Sequence, residues 1–382
     1  MTVDIARIRQ WLCEAALPLW STAGLDQEQG GFIERLTLAG QPDVAADKRM
    51  RVQARQIYVF SHAKLVGLMP DGERIAAHGY DFLMRHACPA GIEHGFVHLL
   101  ARDGAMRDDR RDTYDHAFLL FAFSWFYRAT GRDDVRAAIE ALADFIGARL
   151  RHPGGEGFMV DDRALQDGGG PLHQNPHMHL FEAMLAAHEA TGQARFLNHA
   201  DELARLFRER MFDQRLGVLR EYYDAHWQPV AGEAGQIVEP GHQCEWAWLL
   251  KRHADRTGAP LPEEALRLHD FALRHGRPAG GALLCDEVWT DGTVKKPSTR
   301  CWPQTEALKA EIALAEARGE PLPPRAEAIV SALFETFLGR PMQGGWIDWV
   351  DGEGRPMVQA IPASTFYHVF LALSEYREGR KN

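Results

Sequence analysis

Residues 114–131 read YDHAFLLFAFSWFYRATG, an apolar helical run with charged residues only toward its ends and closed by a glycine. The same plan recurs in RQIYVFSHAKLVG (55–67), NPHMHLFEAMLAAHEATG (175–192), GHQCEWAWLLKRHADRTG (241–258), WPQTEALKAEIALAEARG (302–319) and PASTFYHVFLALSEYREG (362–379). The closing glycines are spaced 64, 61, 66, 61 and 60 residues apart. A glycine just past a helical run is the usual left-handed end of a helix. Self-similarity at a fixed long period is the signature of a repeat architecture, and here it decides the fold.

Each repeat carries a second helical run, such as DDVRAAIEALADFIGARL after Gly131 and RFLNHADELARLFRERMF after Gly192. These runs are amphipathic, with Val135, Ile139, Leu142, Phe145 and Ile146 forming one stripe. A helix with one apolar stripe lies on the outside of its layer, and one apolar all round is enclosed. The first set is therefore inner and the second outer. The N-terminal run, about Val3 to Leu19, has no inner partner before it and is expected to be the outer mate of the last segment. Short glycine-led stretches follow each outer helix at Gly31, Gly95, Gly157, Gly217, Gly281 and Gly345. They read as strands or hairpins leading into the next inner helix. The expectation is an all-α (α/α)6 barrel, a single domain over residues 1–382, with its hairpins at the end where inner helices begin. An open solenoid is the alternative, and the closing number six disfavours it.

Bulk properties narrow the function. The formal net charge is −10, which argues against a nucleic-acid partner that would need clustered Lys and Arg. Five scattered cysteines without a CxxC indicate neither a disulfide framework nor a zinc site, so the cytosol is the expected compartment. No apolar stretch is long enough to span a membrane, and the N-terminus reads as an amphipathic helix, not a signal peptide. No phosphate loop or dinucleotide fingerprint appears, and no cofactor is expected. The partner is expected to be a small monosaccharide, and the chain a monomer or homodimer.

Counted back from the closing glycines, His179, Glu245 and Glu306 all fall 13 residues before, while Asp115 and His242 fall 16 before. Arg55 lies 12 before its glycine and His368 lies 11 before. Polar residues at matching levels of converging helices meet around the axis, and such a convergence is the default site. A lone histidine on an apolar helix is more often a core residue, and His62, His188, His253 and His275 are read as core or surface residues. The recurrence of His179, His242 and His368 at one level sets them apart. His177 and His179, two apart on a helix, point to different faces, so only His179 can face the axis and a metal site is not expected. Cys244 and Cys301 read as buried packing residues. Asp115 and His116 are read either as caps of the second inner helix or as ligand contacts.

Taken together, GGFIERL, KRMRVQARQIYVFSHA, DTYDHAF, NPHMHLFEA, EPGHQCEWAWLL, CWPQTEALKA and GGWIDWVDGEGRP…PASTFYH resemble the N-acylglucosamine 2-epimerase family. The likeness runs from Gly30 to about His368 and leans to the mannose-isomerase branch. It implies an (α/α)6 barrel, in agreement with the repeat. It also implies His242 and His368 as acid/base catalysts, His179 as the ring-opening partner, Glu245 as support and Arg55 as an oxygen-binding cation. Tyr114, Asn175, Trp302 and Trp346 become expected sugar contacts, joined by Met178 and Glu306.

The chemistry suits these residues. Aldose–ketose isomerisation moves a proton between C2 and C1 through an enediolate, and histidine titrates near working pH. The positive helix N-terminus favours neutral imidazoles, and Arg55 can hold the enediolate oxygens. Interconversion of D-mannose and D-fructose, with D-lyxose and D-xylulose as a further pair, is the expected activity, with sugar 2-epimerisation the runner-up. A glycoside hydrolase using Asp115, Glu245 and Glu306 would leave three histidines without roles. A non-catalytic sugar-binding role is the third option.

Overall fold

A computed structural model describes residues 5–278 and 281–380. Val3, at the start of the expected first helix, and Gly280, ahead of the fifth glycine-led stretch, lie outside them. Helix α1 runs from Ile5–Gln10 through a wide π-turn at Trp11–Ala16 into Leu17–Thr22. The helices that follow alternate between inner and outer positions. The inner set is α2 (Met50–Leu65), α4 (Thr113–Thr130), α6 (Gln174–Thr191), α8 (Pro240–Thr257), α10 (Cys301–Arg318) and α12 (Phe366–Gly379). The outer set is α1, α3 (Gly72–His86), α5 (Asp133–Phe145), α7 (Ala194–Leu206), α9 (Glu263–His275) and α11 (Pro324–Thr336).

Each inner helix packs on the next, and α12 packs on α2, so the inner ring closes. Helix α1 seats between the last pair. Trp11 meets Phe334 of α11 edge-on at 5.8 Å, and Trp20 lies 6.0 Å from Phe366 of α12. The expected stripe of α5 is buried at Val135, Ile139, Leu142, Phe145 and Ile146. Gly131, Gly192, Gly258 and Gly319 take the left-handed cap conformation, with φ of 68°, 70°, 68° and 64°. Gly379 does not, because α12 runs through it as its last residue.

The strands form a collar at the N-terminal end of the inner helices. In six contacts around it, the residues just before one inner helix pair with the hairpin leading to the next. Lys48–Arg49 pairs with Leu99–Leu100, Leu172–His173 with Tyr222–Tyr223, and Ile237–Val238 with Glu287–Trp289. Thr299–Arg300 pairs with Trp349–Val350, and a single bridge joins Asp112 to Asp161. The sixth contact, Ala360–Pro362 on Arg35–Thr37, joins the two ends of the chain and closes the collar.

Side chains in the first turns of inner helices pin these hairpins. Gln53 accepts from the Phe32 N–H at 2.7 Å and donates back to its carbonyl at 2.9 Å. Gln243 holds Leu219 in the same way at 2.9 Å and 2.9 Å, and Gln304 holds Leu284 at 2.7 Å and 2.9 Å. In α4 and α6 histidines do this work. His116 Nε2 accepts from Phe96 N–H at 3.0 Å, and His177 Nε2 from Phe158 N–H at 2.8 Å. Each keeps its proton on Nδ1 for a carbonyl four residues back, at 2.7 Å in both cases. An imidazole that accepts at one nitrogen must be neutral, and burial lowers both to about 4. His116 is therefore a hairpin clamp. Asp112, not Asp115, caps α4 by accepting from the Asp115 N–H. Asn175, an expected sugar contact, sits one residue inside α6, which begins at Gln174.

Candidate active site

Three histidine–carboxylate pairs and one clamped arginine converge inside the collar. His179, in the second turn of α6, places Nδ1 3.1 Å from Glu182 Oε2 and 3.9 Å from Glu245 Oε1. Its ring lies 4.5 Å from Phe118 and 5.0 Å from Tyr114. His242, in the first turn of α8, puts Nδ1 2.9 Å from Glu221 Oε2, with Glu239 at 3.8 Å. His368 of α12 puts Nδ1 2.8 Å from Glu306 Oε1. The half-buried Trp302 packs on both of the last two, with ring centroids 4.8 Å from His242 and 5.7 Å from His368. In every pair the carboxylate takes Nδ1, which leaves Nε2 for another partner.

The carboxylates are themselves oriented. Tyr367 donates to Glu182 at 2.6 Å, and Lys309, fully buried, sits 2.6 Å from Glu306 Oε2. Gln174 donates to Glu221 at 2.9 Å and accepts from Trp246 at 2.8 Å. Arg55 donates to Tyr114 Oη at 2.8 Å and to the Ser364 carbonyl at 3.2 Å. Its guanidinium lies over Phe118 at 4.1 Å, and its buried Nε has no protein partner. Such a stacked, unneutralised cation is positioned for developing negative charge.

These surroundings separate the histidines. Burial and then the Arg55 charge hold His179 and His368 well below the usual imidazole range. Burial acts against a charge on His242 as well, but Glu221 and Glu239 together outweigh it and raise the ring to about 9. Neutral imidazoles were expected from the helix ends; two rings are neutral, through burial and Arg55, and the third is charged because Glu221 and Glu239 face it. Burial raises Glu182 to about 7 against the pull of Lys309, and it raises Glu245 strongly. Donor atoms of Glu245, Glu306 and His368 lie within 4.8 Å of one another, a spacing a divalent ion could bridge, but the Lys309 ammonium already meets that charge.

Several expected residues have different partners from those anticipated. Glu245 orients no histidine, and both its oxygens are buried without a hydrogen bond. Glu182, Glu221 and Glu306 hold that role instead, and Glu306, expected on the sugar, faces His368. Trp346 is not brought in as a ring platform. It is fully buried, stacked on Trp20 at 4.9 Å and packed on Phe366 at 5.4 Å. Met178 is fully buried on α6, and Asn175 leaves its Oδ1 unpartnered in the first turn. Asp115 pairs with His98 at 2.6 Å and with Arg51 at 3.2 Å. Cys244 and Cys301 are sealed in the core. Glu182 lies three residues after His179 and Lys309 three after Glu306, a spacing that alone marks side-chain neighbours on a helix. Glu221 sits on a hairpin, where no periodicity points to it.

Paired histidines and a stacked arginine inside a closed (α/α)6 barrel form an arrangement able to exchange protons with a polar ligand. Residues 31–372 match the model of the N-acylglucosamine 2-epimerase (GlcNAc 2-epimerase) family, and the chain belongs to that family. It is a sugar isomerase/epimerase of that family. Its relatives include a mannose-6-phosphate isomerase of Rhizobium meliloti, 38% identical over 96% of this chain and 95% of that protein. A D-mannose isomerase of Thermobifida fusca is 27% identical over 97% and 95%. The fold matches the structure of a cellobiose 2-epimerase from Spirochaeta thermophila with a TM-score of 0.87, at 24% identity, covering 99% of this chain and 96% of that one. Among the described residues no helix is long and apolar enough to cross a membrane.

Proposed function

We propose that the protein is an aldose–ketose isomerase interconverting D-mannose and D-fructose through a cis-enediolate. The observation that carries this reading is the contrast between His242 and His368, two rings on one tryptophan held in opposite protonation states. Environments that push two titratable groups apart assign the acid and the base. His179 opens the pyranose by taking the C1 hydroxyl proton at Nε2 and passing it to the ring oxygen, so that the C1=O bond forms as the C1–ring-oxygen bond breaks and the imidazole ends as it began. Neutral His368 removes the C2 proton, the C2–H electrons form the C1=C2 bond, and charge develops on the C1 oxygen beside Arg55. Cationic His242 donates to that oxygen. Return of the proton from His368 to C1, with loss of the C2 hydroxyl proton to His242, yields the ketose and restores both rings.

Two relatives named as mannose or mannose-6-phosphate isomerases support the isomerase outcome. Charge supports the unphosphorylated sugar. Among the described residues Arg51 is paired with Asp115, Arg300 with Glu239 and Asp286, and Lys309 with Glu306. A phosphate would meet carboxylates at this mouth and no free cluster of cations. Sugar 2-epimerisation is the second reading, favoured by two histidines that both pack on Trp302 and could serve as two bases. Parallel assays with D-mannose and mannose 6-phosphate test the substrate. The reading expects kcat/KM at least tenfold higher for the free sugar, and equal or greater activity on the phosphate contradicts it.

A further inference from the structure

Each carboxylate that takes a histidine Nδ1 has a second partner behind it, and these partners differ in kind. Gln174 donates to Glu221 at 2.9 Å and Tyr367 to Glu182 at 2.6 Å, both neutral groups. Glu306 is backed by an ion. Lys309 Nζ lies 2.6 Å from its Oε2, while His368 Nδ1 lies 2.8 Å from its Oε1. Lys309 and Glu306 are both fully buried, one turn apart on α10. The ammonium also lies over the face of Trp248, 3.8 Å from the ring centre. An ammonium can only donate, so Oε2 is an acceptor. With that charge beside it Glu306 stays a carboxylate, and Oε1 must in turn meet a donor, which is the Nδ1–H of His368.

We propose that Lys309 is a positioning residue for the isomerisation: its ammonium holds Glu306 as a carboxylate, Glu306 keeps the His368 proton on Nδ1, and Nε2 is left bare to serve as the base. The inference rests on the role given above to His368. Lys309 acts through two side chains and is not itself a catalytic residue.

The surroundings of Glu306 show why a cation matters there. Glu245 of α8 brings a carboxyl oxygen within 4.8 Å of donor atoms of both Glu306 and His368. Glu182 of α6 adds a third buried carboxyl, and all three act on the one ammonium. His179 of α6 and His242 of α8 also face Glu306, Tyr367 of α12 lies 6.0 Å from Lys309 Nζ, and the Arg55 charge of α2 reaches His368. Burial raises the Glu306 carboxyl, and Lys309 is the chief influence opposing it. Without the ammonium, a buried carboxylate beside other carboxyls favours uptake of a proton. On Oε1, that proton makes Glu306 a donor to Nδ1 and moves the ring hydrogen to Nε2. On the ring, it makes the imidazolium. Either way Nε2 carries a hydrogen and cannot accept one from C2.

The test is Lys309→Met, with Lys309→Gln in its place if the first misfolds and Lys309→Arg as the variant that keeps the charge. On D-mannose, Lys309→Met should lower kcat roughly tenfold or more with KM within about twofold. The acid limb of its pH profile should move up by about one unit or more, because losing a cation favours the proton-bound form. Recovery of both in Lys309→Arg supports the charge as the cause. 15N NMR of the His368 ring, assigned by its absence from His368→Asn, should show hydrogen on Nδ1 alone in the parent and hydrogen on Nε2 in Lys309→Met. An Nε2 that stays bare in the neutral variant, or an acid limb that stays put, overturns the proposal. If the parent turns over no sugar, the function fails separately, and the His368 ring signals alone decide what Lys309 does.

Discussion

His242 and His368 share a tryptophan neighbour, yet one ring is held charged and the other neutral. The difference is local: Glu221 and Glu239 face His242, whereas burial and the Arg55 charge, followed by Lys309, keep His368 neutral although Glu306 takes its Nδ1. Replacing either histidine with asparagine keeps its size and removes its proton chemistry. His242→Asn and His368→Asn should each lose on the order of 100-fold or more in kcat with an unchanged helical CD signal, and a variant above a tenth of parental activity contradicts its role. The pH profile follows the signs. Activity should fall as pH rises through about 9, where His242 loses its proton, and on the acid side only below the ordinary histidine range of about 6.5, where His368 gains one. Glu221→Gln removes the main attraction on His242, so the alkaline limb should move down toward about 6.5; a limb that stays put sinks the assignment. The same shift is a stability term. A histidine raised on folding contributes stability that is complete below its unfolded pKa and is lost as pH rises through about 9.

At the scale of elements, the clamp between inner helix and hairpin explains why some histidines are not catalytic. Three repeats use glutamine for the clamp and two use histidine, so the side chains are physically equivalent there. His116→Gln and His177→Gln should therefore keep kcat within about threefold of the parent; a hundredfold loss in either would show chemistry at that position. Gln243→Ala should behave differently, since it leaves the Leu219 N–H and carbonyl buried without partners. An orphaned buried group costs about 1–3 kcal/mol, so a clear drop in Tm is expected, and an unchanged Tm argues that the hairpin is held otherwise. Helix ends and register were legible in the sequence because glycine caps and apolar period are local properties. The clamp column lay in the same register, 15 residues before the closing glycine for His116, His177, Gln243 and Gln304, but glutamine and histidine carry no shared sequence signal. Glu221 was hidden for a different reason: its place is set by hairpin pairing across repeats, which no period within one element encodes.

At the scale of the molecule, closure joins fold to site. The chain's two ends meet through the Arg35–Thr37 and Ala360–Pro362 pairing and through Trp20 against Trp346 and Phe366. Arg55 near the beginning and His368 near the end share one pocket only because the ring closes. Trp346 was expected as a sugar contact on the family resemblance; its burial in this seam follows from its packing on Trp20 and Phe366, distant partners that the stretch around it does not encode. Trp20→Ala removes a fully buried indole, and core truncations of this kind cost about 3–5 kcal/mol. It should lower Tm and kcat together, whereas lost stability with full activity at low temperature would separate the seam from the site. The central claim is that this pocket moves a proton between C2 and C1 of a free hexose. The most direct measurement is NMR of D-mannose incubated with EDTA-treated protein in D2O. The account predicts D-fructose carrying deuterium at C1, with wash-in at C2 of returning mannose. Glucose as the first product, or no exchange at either carbon, would contradict it.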